Sequence, residues 1–227
     1  YEMLRSLVGS EMCIRDSTPL NAIVGFSNIL AADEELETDE RCEYIKTINR
    51  NSDLLLTLIN DILELSRLES GYMSFEFAPC GVGELVDEIY QTHQMLISGQ
   101  LEFIKDKDTV PVRINVDKGR LVQVITNFLN NASKFTASGY IKLGYRYLPD
   151  TSEVAIYVED TGCGIPYAEQ KMIFNRFYKQ NEFSQGTGLG LSICQVIVEK
   201  LQGRIELWSE QGKGSRFTVV IKATSYE

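Results

Sequence analysis

Four short stretches carry residue types suited to holding a phosphorylated ligand. In NFLNNASKF (127–135), Asn127 and Asn131 stand four apart and so share one helix face. Their amide oxygens are hard donors of the kind Mg²⁺ takes, and they do not cancel its charge. Lys134 follows three residues on, a point charge within reach of the same region. In DTGCGIP (160–166), Asp160 ends an apolar run, and Gly162 and Gly164 allow a close backbone approach. IFNRFYK (173–179) holds Arg176 and Phe177, and GTGLGLS (186–192) places Gly186, Gly188 and Gly190 ahead of a helix. The N–H groups at such a helix start are unsatisfied, and the positive end of the helix favours an anion. A fifth stretch, GKGS (212–215), fits a hairpin. Taken singly, each has a plain alternative: a capped half-buried helix, a turn after a strand, a flexible loop.

The surrounding periodicities define what must position these residues. Ile45, Ile48, Ser52, Leu55, Ile59, Ile62 and Ser66 alternate spacings of three and four, a heptad seam, and Leu56 and Leu63 widen it. A stripe that wide needs more cover than one partner helix gives, so the hairpin formed with residues 17 to 31 (Leu20, Ile23, Val24, Leu30) is expected to make a dimeric four-helix bundle. After Gly71 the pattern changes. SFEF reads as a short strand and GVGELVDEIYQTHQMLI as a helix, with LEFIK and VRIN as strands. A helix over 117 to 133 opens on Asp117, a good N-cap. YIKLGYRYL and EVAIYVED alternate with period two around a PD–TS turn. A helix over 188 to 201 and the hairpin GRIELWSE–GSRFTVVIKA follow. The expected fold class is α+β, a helical hairpin followed by a two-layer α/β sandwich with helices on one face of the sheet. The expected domains are 17–70 for the hairpin, 71–78 for a linker with a short strand, and 79–227 for the α/β domain.

With 22 basic and 32 acidic residues among 227, the net charge is −10, which argues against a nucleic-acid surface but not against a local anion pocket. Hydrophobic residues at 44% suffice for a core. Five scattered cysteines without a C-x-x-C pair suggest neither a zinc site nor a disulfide framework, and fit a reducing cytoplasm. No apolar run reaches about 18 residues, so no membrane contact is expected in this stretch.

In their order and spacing these segments resemble the N box, first glycine box, F box, second glycine box and third glycine element of the histidine kinase ATP-binding domain. That domain shares its Bergerat fold with gyrase-type topoisomerases, a heat-shock chaperone and mismatch-repair ATPases. The resemblance runs over about residues 17 to 224 and implies ATP and Mg²⁺ as cofactors. It implies that Asn131 is the main metal ligand with Asn127 beside it, that Lys134 reaches the phosphates, and that Asp160 accepts from the adenine amino group. It gives Gly162, Gly164, Ile165 and Phe177 to the base pocket and Arg176 to the terminal phosphate. Gly186, Thr187, Gly188, Leu189 and Gly190 fall to the phosphate loop, with 178–185 as a short lid. Asn127, Lys134 and Arg176 are the expected catalytic residues. The hydrolysing branches place a Glu where this chain has Asn127, an amide that takes no proton at neutral pH, which favours transfer to a side chain over hydrolysis. The implied partners are a second copy through the hairpin and a response-regulator receiver domain, whose Asp takes the phosphate. The implied location is the cytoplasmic part of a membrane-anchored bacterial sensor. A non-catalytic nucleotide-binding interaction module and, less well supported, a superfamily ATPase remain as alternatives.

One element of that pattern is missing. The family reads S-H-E-[IL]-R-T-P-L in its first bundle helix, and the His receives the phosphate. Aligned on Thr18-Pro19-Leu20, Ile14 takes the acceptor position and Arg15 the adjacent acid. Ile has no nucleophilic atom. Asp16 lies two residues round the helix, about 200° from the expected face. The single histidine, His93, sits far away in a helix of the α/β domain, where a structural role is expected. Residues 1–16 resemble translated adapter sequence and are read as non-native.

Overall fold

The computed structural model describes residues 10–32, 36–97, 101–106, 108, 110–179 and 186–224, with side chains from Thr18 onward. The chain separates into two compact units. The smaller comprises residues 1–64 with 185–187, and the larger 65–184 with 188–227.

The smaller unit is built on α1 (Ser10–Ala32) and α2 (Thr38–Glu69). α1 starts earlier than the expected 17 and carries Pro19 inside it. α2 opens on Asp39 and Glu40 and has Arg67 in its last turn, charges that complement the helix dipole. Phe26 stacks on Tyr44 at 5.2 Å between ring centroids. Leu56, Ile59 and Leu63 stay 47–60% exposed, an apolar strip that the single chain leaves uncovered.

In the larger unit, which also takes the last turn of α2, the elements after the hairpin are β1 (Ala78–Gly81), α3 (Val82–Gln94), β2 (Leu101–Asp106), β3 (Arg113–Val116), α4 (Lys118–Phe135), β4 (Gly139–Leu148), β5 (Glu153–Asp160), α5 (Gly190–Lys200), β6 (Arg204–Glu210) and β7 (Gly214–Lys222). The main sheet has the order β2-β4-β5-β7-β6. The β2–β4 pair is parallel and the other pairs are antiparallel. β1 and β3 form a separate two-stranded sheet. The SFEF stretch is not a strand. Pairing begins at Ala78, opposite Val116, because the register with β3 runs over residues 78–81.

Period two sorts the main sheet into two faces. Ile141, Leu143, Val154, Ile156, Val158, Val219 and Ile221 lie on the buried side with the apolar faces of α4 and α5. Phe128 of α4 meets Phe217 of β7 at 5.2 Å. Each such buried side chain contributes about 1.5–3 kcal/mol relative to exposure. The other face is polar. Tyr157 Oη donates to Asp106 (2.5 Å), which also takes Arg146 (2.6 Å), and Arg216 pairs with Glu159. Asp117 caps α4 as expected, accepting from Arg120 N at 3.1 Å, and its second oxygen takes Glu76 N–H at 3.0 Å. His93 is buried in α3 with Nδ1 2.9 Å from the Ile89 carbonyl, a structural placement.

Candidate functional site

The site begins on one face of α4. Asn131 Nδ2 donates to Asn127 Oδ1 at 3.1 Å, so the two amides are linked along the helix. Asn127 is held in turn by the start of α5. A Cβ on Gly190 would come within 2.3 Å of Asn127 Nδ2, so only glycine lets the two helices meet there. Leu189, the residue before α5, gives no side-chain cap, so the first-turn N–H groups of α5 have no side-chain partner from it. With Asn131 Nδ2 donating to Asn127 Oδ1, the Oδ1 of Asn131 takes no part in that bond. Lys134 Nζ lies 4.6 Å over the Phe135 ring. Desolvation first, and then repulsion from Lys179, lower its pKa, so an anion placed beside Lys134 would favour its charged form.

The C-terminal end of α4, just past Lys134, meets Asp160. The alternation of β5 puts Asp160 on the same face as Val158 and Ile156, and it is buried. Gly162 N donates to its Oδ1 at 2.8 Å, and Thr136 Oγ1 lies 3.5 Å from the same oxygen. Burial raises the carboxyl pKa, opposed by the backbone N–H groups of Gly162 and Ser215 and by the Thr136 hydroxyl. A buried carboxylate with fixed donors is an acceptor of set direction, suited to an amino group.

The glycines of this loop also fit closely against the protein itself. A Cβ on Gly162 would lie 2.4 Å from the Phe135 carbonyl oxygen, and one on Gly164 (φ +66°) 2.0 Å from the Glu210 carbonyl oxygen. The close approach is to the protein's own backbone. Cys163 N donates to Phe135 O (3.2 Å), and Gly212 N to Cys163 O (2.7 Å), which ties the loop between α4 and the β6–β7 turn.

The remaining expected residues divide. Phe177 N donates to Gly188 O at 2.9 Å, which joins the F-box stretch to the second glycine loop, and Leu189 is fully buried. Gly186 and Thr187 group instead with the smaller unit, where Thr187 Oγ1 donates to Asp61 Oδ2 at 2.6 Å. Arg176 pairs with Glu69 of the last turn of α2, within the larger unit. Ile165 donates its N–H to Ser209 Oγ (2.8 Å) and lines a cavity of about 400 Å³ with Tyr167, Leu207 and Trp208, none of them among the expected site residues. The lid residues 180–185 lie outside the described residues, as do the side chains of Ile14, Arg15 and Asp16. Sequence reasoning missed Thr136 and Ser215, the two further groups on Asp160, and Glu69, the partner of Arg176. A polar residue directly after the α4 pattern was the one available signal for Thr136.

Residues 17–71 match the His Kinase A (phospho-acceptor) domain, and residues 116–225 match the histidine kinase-, DNA gyrase B-, and HSP90-like ATPase domain. Sensor histidine kinase RcsC of Escherichia coli (strain K12) is 38% identical over 213 residues, 90% of this chain and 22% of that protein. Signal transduction histidine-protein kinase BarA of the same strain is 35% identical over 209 residues, 88% of this chain and again 22% of the relative. The chain thus spans about a fifth of the length of these relatives. Among solved structures, histidine kinase ThkA in complex with response regulator protein TrrA aligns with a TM-score of 0.78 at 26% identity, over 98% of this chain and 64% of that one. Full-length ShkA in complex with AMPPNP gives 0.71 at 27%, over 92% and 44%. A phospho-acceptor-type hairpin ahead of this ATPase-type domain, with relatives of one kind, means that the chain belongs to the sensor histidine kinases of two-component systems.

Proposed function

We propose that this chain is the dimerisation and catalytic core of its sensor. In this reading it binds Mg-ATP and directs the terminal phosphate to a bundle histidine, which this chain itself lacks because Ile14 holds that position, and from which an Asp on a response-regulator receiver takes it. The observation that carries the reading is the pairing of functions on α4. Its Asn face abuts the start of α5, and its C-terminal end abuts the buried Asp160. One helix therefore joins a polar, anion-favouring region to a fixed acceptor for a base.

The donor set fits magnesium through an amide oxygen. Among the described residues no group of three His, Cys, Asp or Glu side chains could hold a metal ion. When bound, Mg²⁺ supplies charge neutralisation on the phosphates. Asn131 Oδ1 is its protein ligand, and Asn127 orients Asn131 by accepting from Nδ2. Lys134 contributes a cation toward the phosphates. Asp160 accepts from the adenine amino group. Arg176 reaches the terminal phosphate once it leaves Glu69. Asn127 cannot deprotonate water, so the site favours transfer over hydrolysis. The exposed strip Leu56, Ile59, Leu63 is the surface for a second copy. No described helix is long and apolar enough to cross a membrane, and the core is read as the cytoplasmic part of an anchored sensor.

The test is radiolabelled Mg-ATP with this chain and a separate histidine-containing bundle. Acid-labile label on the bundle supports the kinase reading. Steady-state phosphate release without labelling identifies an ATPase, and nucleotide binding with neither identifies a non-catalytic interaction module.

A further inference from the structure

Thr136 ends α4, and its N–H closes the last turn on the Ala132 carbonyl at 3.0 Å. Its backbone then leaves the helix in an extended conformation (φ −113°, ψ 111°), and its hydroxyl lies beside Asp160 of β5. The residue is 4% exposed, so the hydroxyl needs a partner inside the protein. The acceptor beside it is Asp160 Oδ1, the oxygen that also takes Gly162 N–H. The hydroxyl stands 3.5 Å from Oδ1 and Gly162 N 2.8 Å from it, with no room for a side chain at Gly162. A Cβ on Gly162 would sit 2.8 Å from Thr136 Oγ1 and 2.8 Å from Asp160 Oδ1.

We propose that Thr136 is a specificity-setting positioning residue: with Gly162 it pins Oδ1 of Asp160, so that the carboxylate presents a fixed, ionised acceptor to the 6-amino group of an adenine nucleotide. This rests on the reading that Asp160 receives the base. An ionised carboxylate only accepts hydrogen bonds, so it rewards an amino group and penalises the carbonyl of a 6-oxopurine. Two donors on one oxygen favour the charged form and stop the group from turning. Thr136 also belongs to the helix that carries Asn127 and Asn131, so the base end and the metal end of the site share one rigid element. The residue need not touch the nucleotide.

The experiment uses the full chain and calorimetric binding of ATP, GTP and purine riboside triphosphate, which lacks the 6-amino group, all with Mg²⁺. Thr136→Val keeps the shape and removes the hydroxyl. ATP affinity should fall roughly threefold to tenfold, the loss of one hydrogen bond. The amino-less analogue should be unaffected, so that the ATP-to-analogue ratio shrinks. Thr136→Ser should restore the ratio. Should Thr136→Val fail to melt cooperatively, Thr136→Ala, which cannot clash, carries the same expectation. An unchanged ratio in the folded hydroxyl-free variant overturns the proposal, as does an equal loss for both ligands. Asp160→Asn in parallel separates the two claims. If it collapses the ratio and the Thr136 variant does not, only the role of Thr136 fails. If it too leaves the ratio intact, Asp160 does not read the base and both claims fail.

Discussion

Asn131 and Asp160 are the two residues on which the proposed site turns, and they were legible to different depths. The spacing of Asn127 and Asn131 already puts both amides on one face, and the structure links them directly. That link divides their labour, because one amide's N–H is spent on the other's oxygen. Asn131→Ala should weaken Mg-ATP binding by on the order of tenfold or more while leaving the melting transition nearly unchanged. Calorimetry with and without Mg²⁺ measures this, and equal loss in both conditions would place Asn131 outside the metal shell. For Asp160 the sequence supplied its place at a strand end but not the energetic cost of its position. Its pKa is raised, chiefly by burial, so folding favours the protonated form. The associated stability is fully present below the unfolded pKa near 4 and is lost as pH rises through the folded pKa. Above the folded pKa the ionised group therefore weakens the nucleotide-free fold. Asp160→Asn should raise the melting temperature at pH 7, with the gain shrinking as pH falls toward 4. A destabilised variant at pH 7 would show that the donors around the carboxylate outweigh its desolvation.

Secondary-structure elements were read best where the pattern was long. The heptad seam marked α2 over nearly its observed span, and the strict alternation of β4 and β5 gave both strands and the hairpin between them. The aromatic alternation of SFEF misled, because a strand requires a partner and the β3 register supplies one only from Ala78 onward. The order of strands in the sheet, with β7 between β5 and β6, was not legible. It depends on pairings between segments far apart in sequence. The exposed strip on α2 bears on assembly. Replacing Leu56 and Ile59 with Lys places like charges along a surface that a second copy would bury. The double variant should be monomeric at micromolar concentration in light scattering, and the parent dimeric. A monomeric parent would remove the bundle from the account.

For the whole molecule, the order of the motifs identified the family where no single motif could, while composition and charge only narrowed the field. Aligned on Thr18-Pro19-Leu20, the resemblance has a gap, since by that alignment Ile14 falls where the acceptor is expected and Arg15 where an acid would orient the imidazole. The intact chain should not label with radioactive ATP. Ile14→His alone should give little acid-labile phosphate, because a neighbouring cation disfavours the protonated ring and cannot take its proton. Ile14→His with Arg15→Glu should give clearly more. Strong labelling of the unmodified chain would falsify the alignment of Ile14 with the acceptor.

The two oxygens of Asp117 have separate duties, one closing the first turn of α4 and the other holding Glu76 N–H in the segment that leaves α2. That segment carries Tyr72, 90% exposed, together with Phe75 and Phe77. It is thus a ready substrate for chymotrypsin, restrained in part by a carboxylate about 40 residues away in sequence. Asp117→Ala removes a cap at a cost of about 1 kcal/mol, but its larger effect should be on nicking. Cleavage between Tyr72 and Phe77 should accelerate several-fold at temperatures where the melting curve is still flat, since local opening needs less free energy than global unfolding. Digestion followed by intact-mass analysis reads the cut sites. Cleavage at the parent's rate would mean that the linker's protection comes from elsewhere.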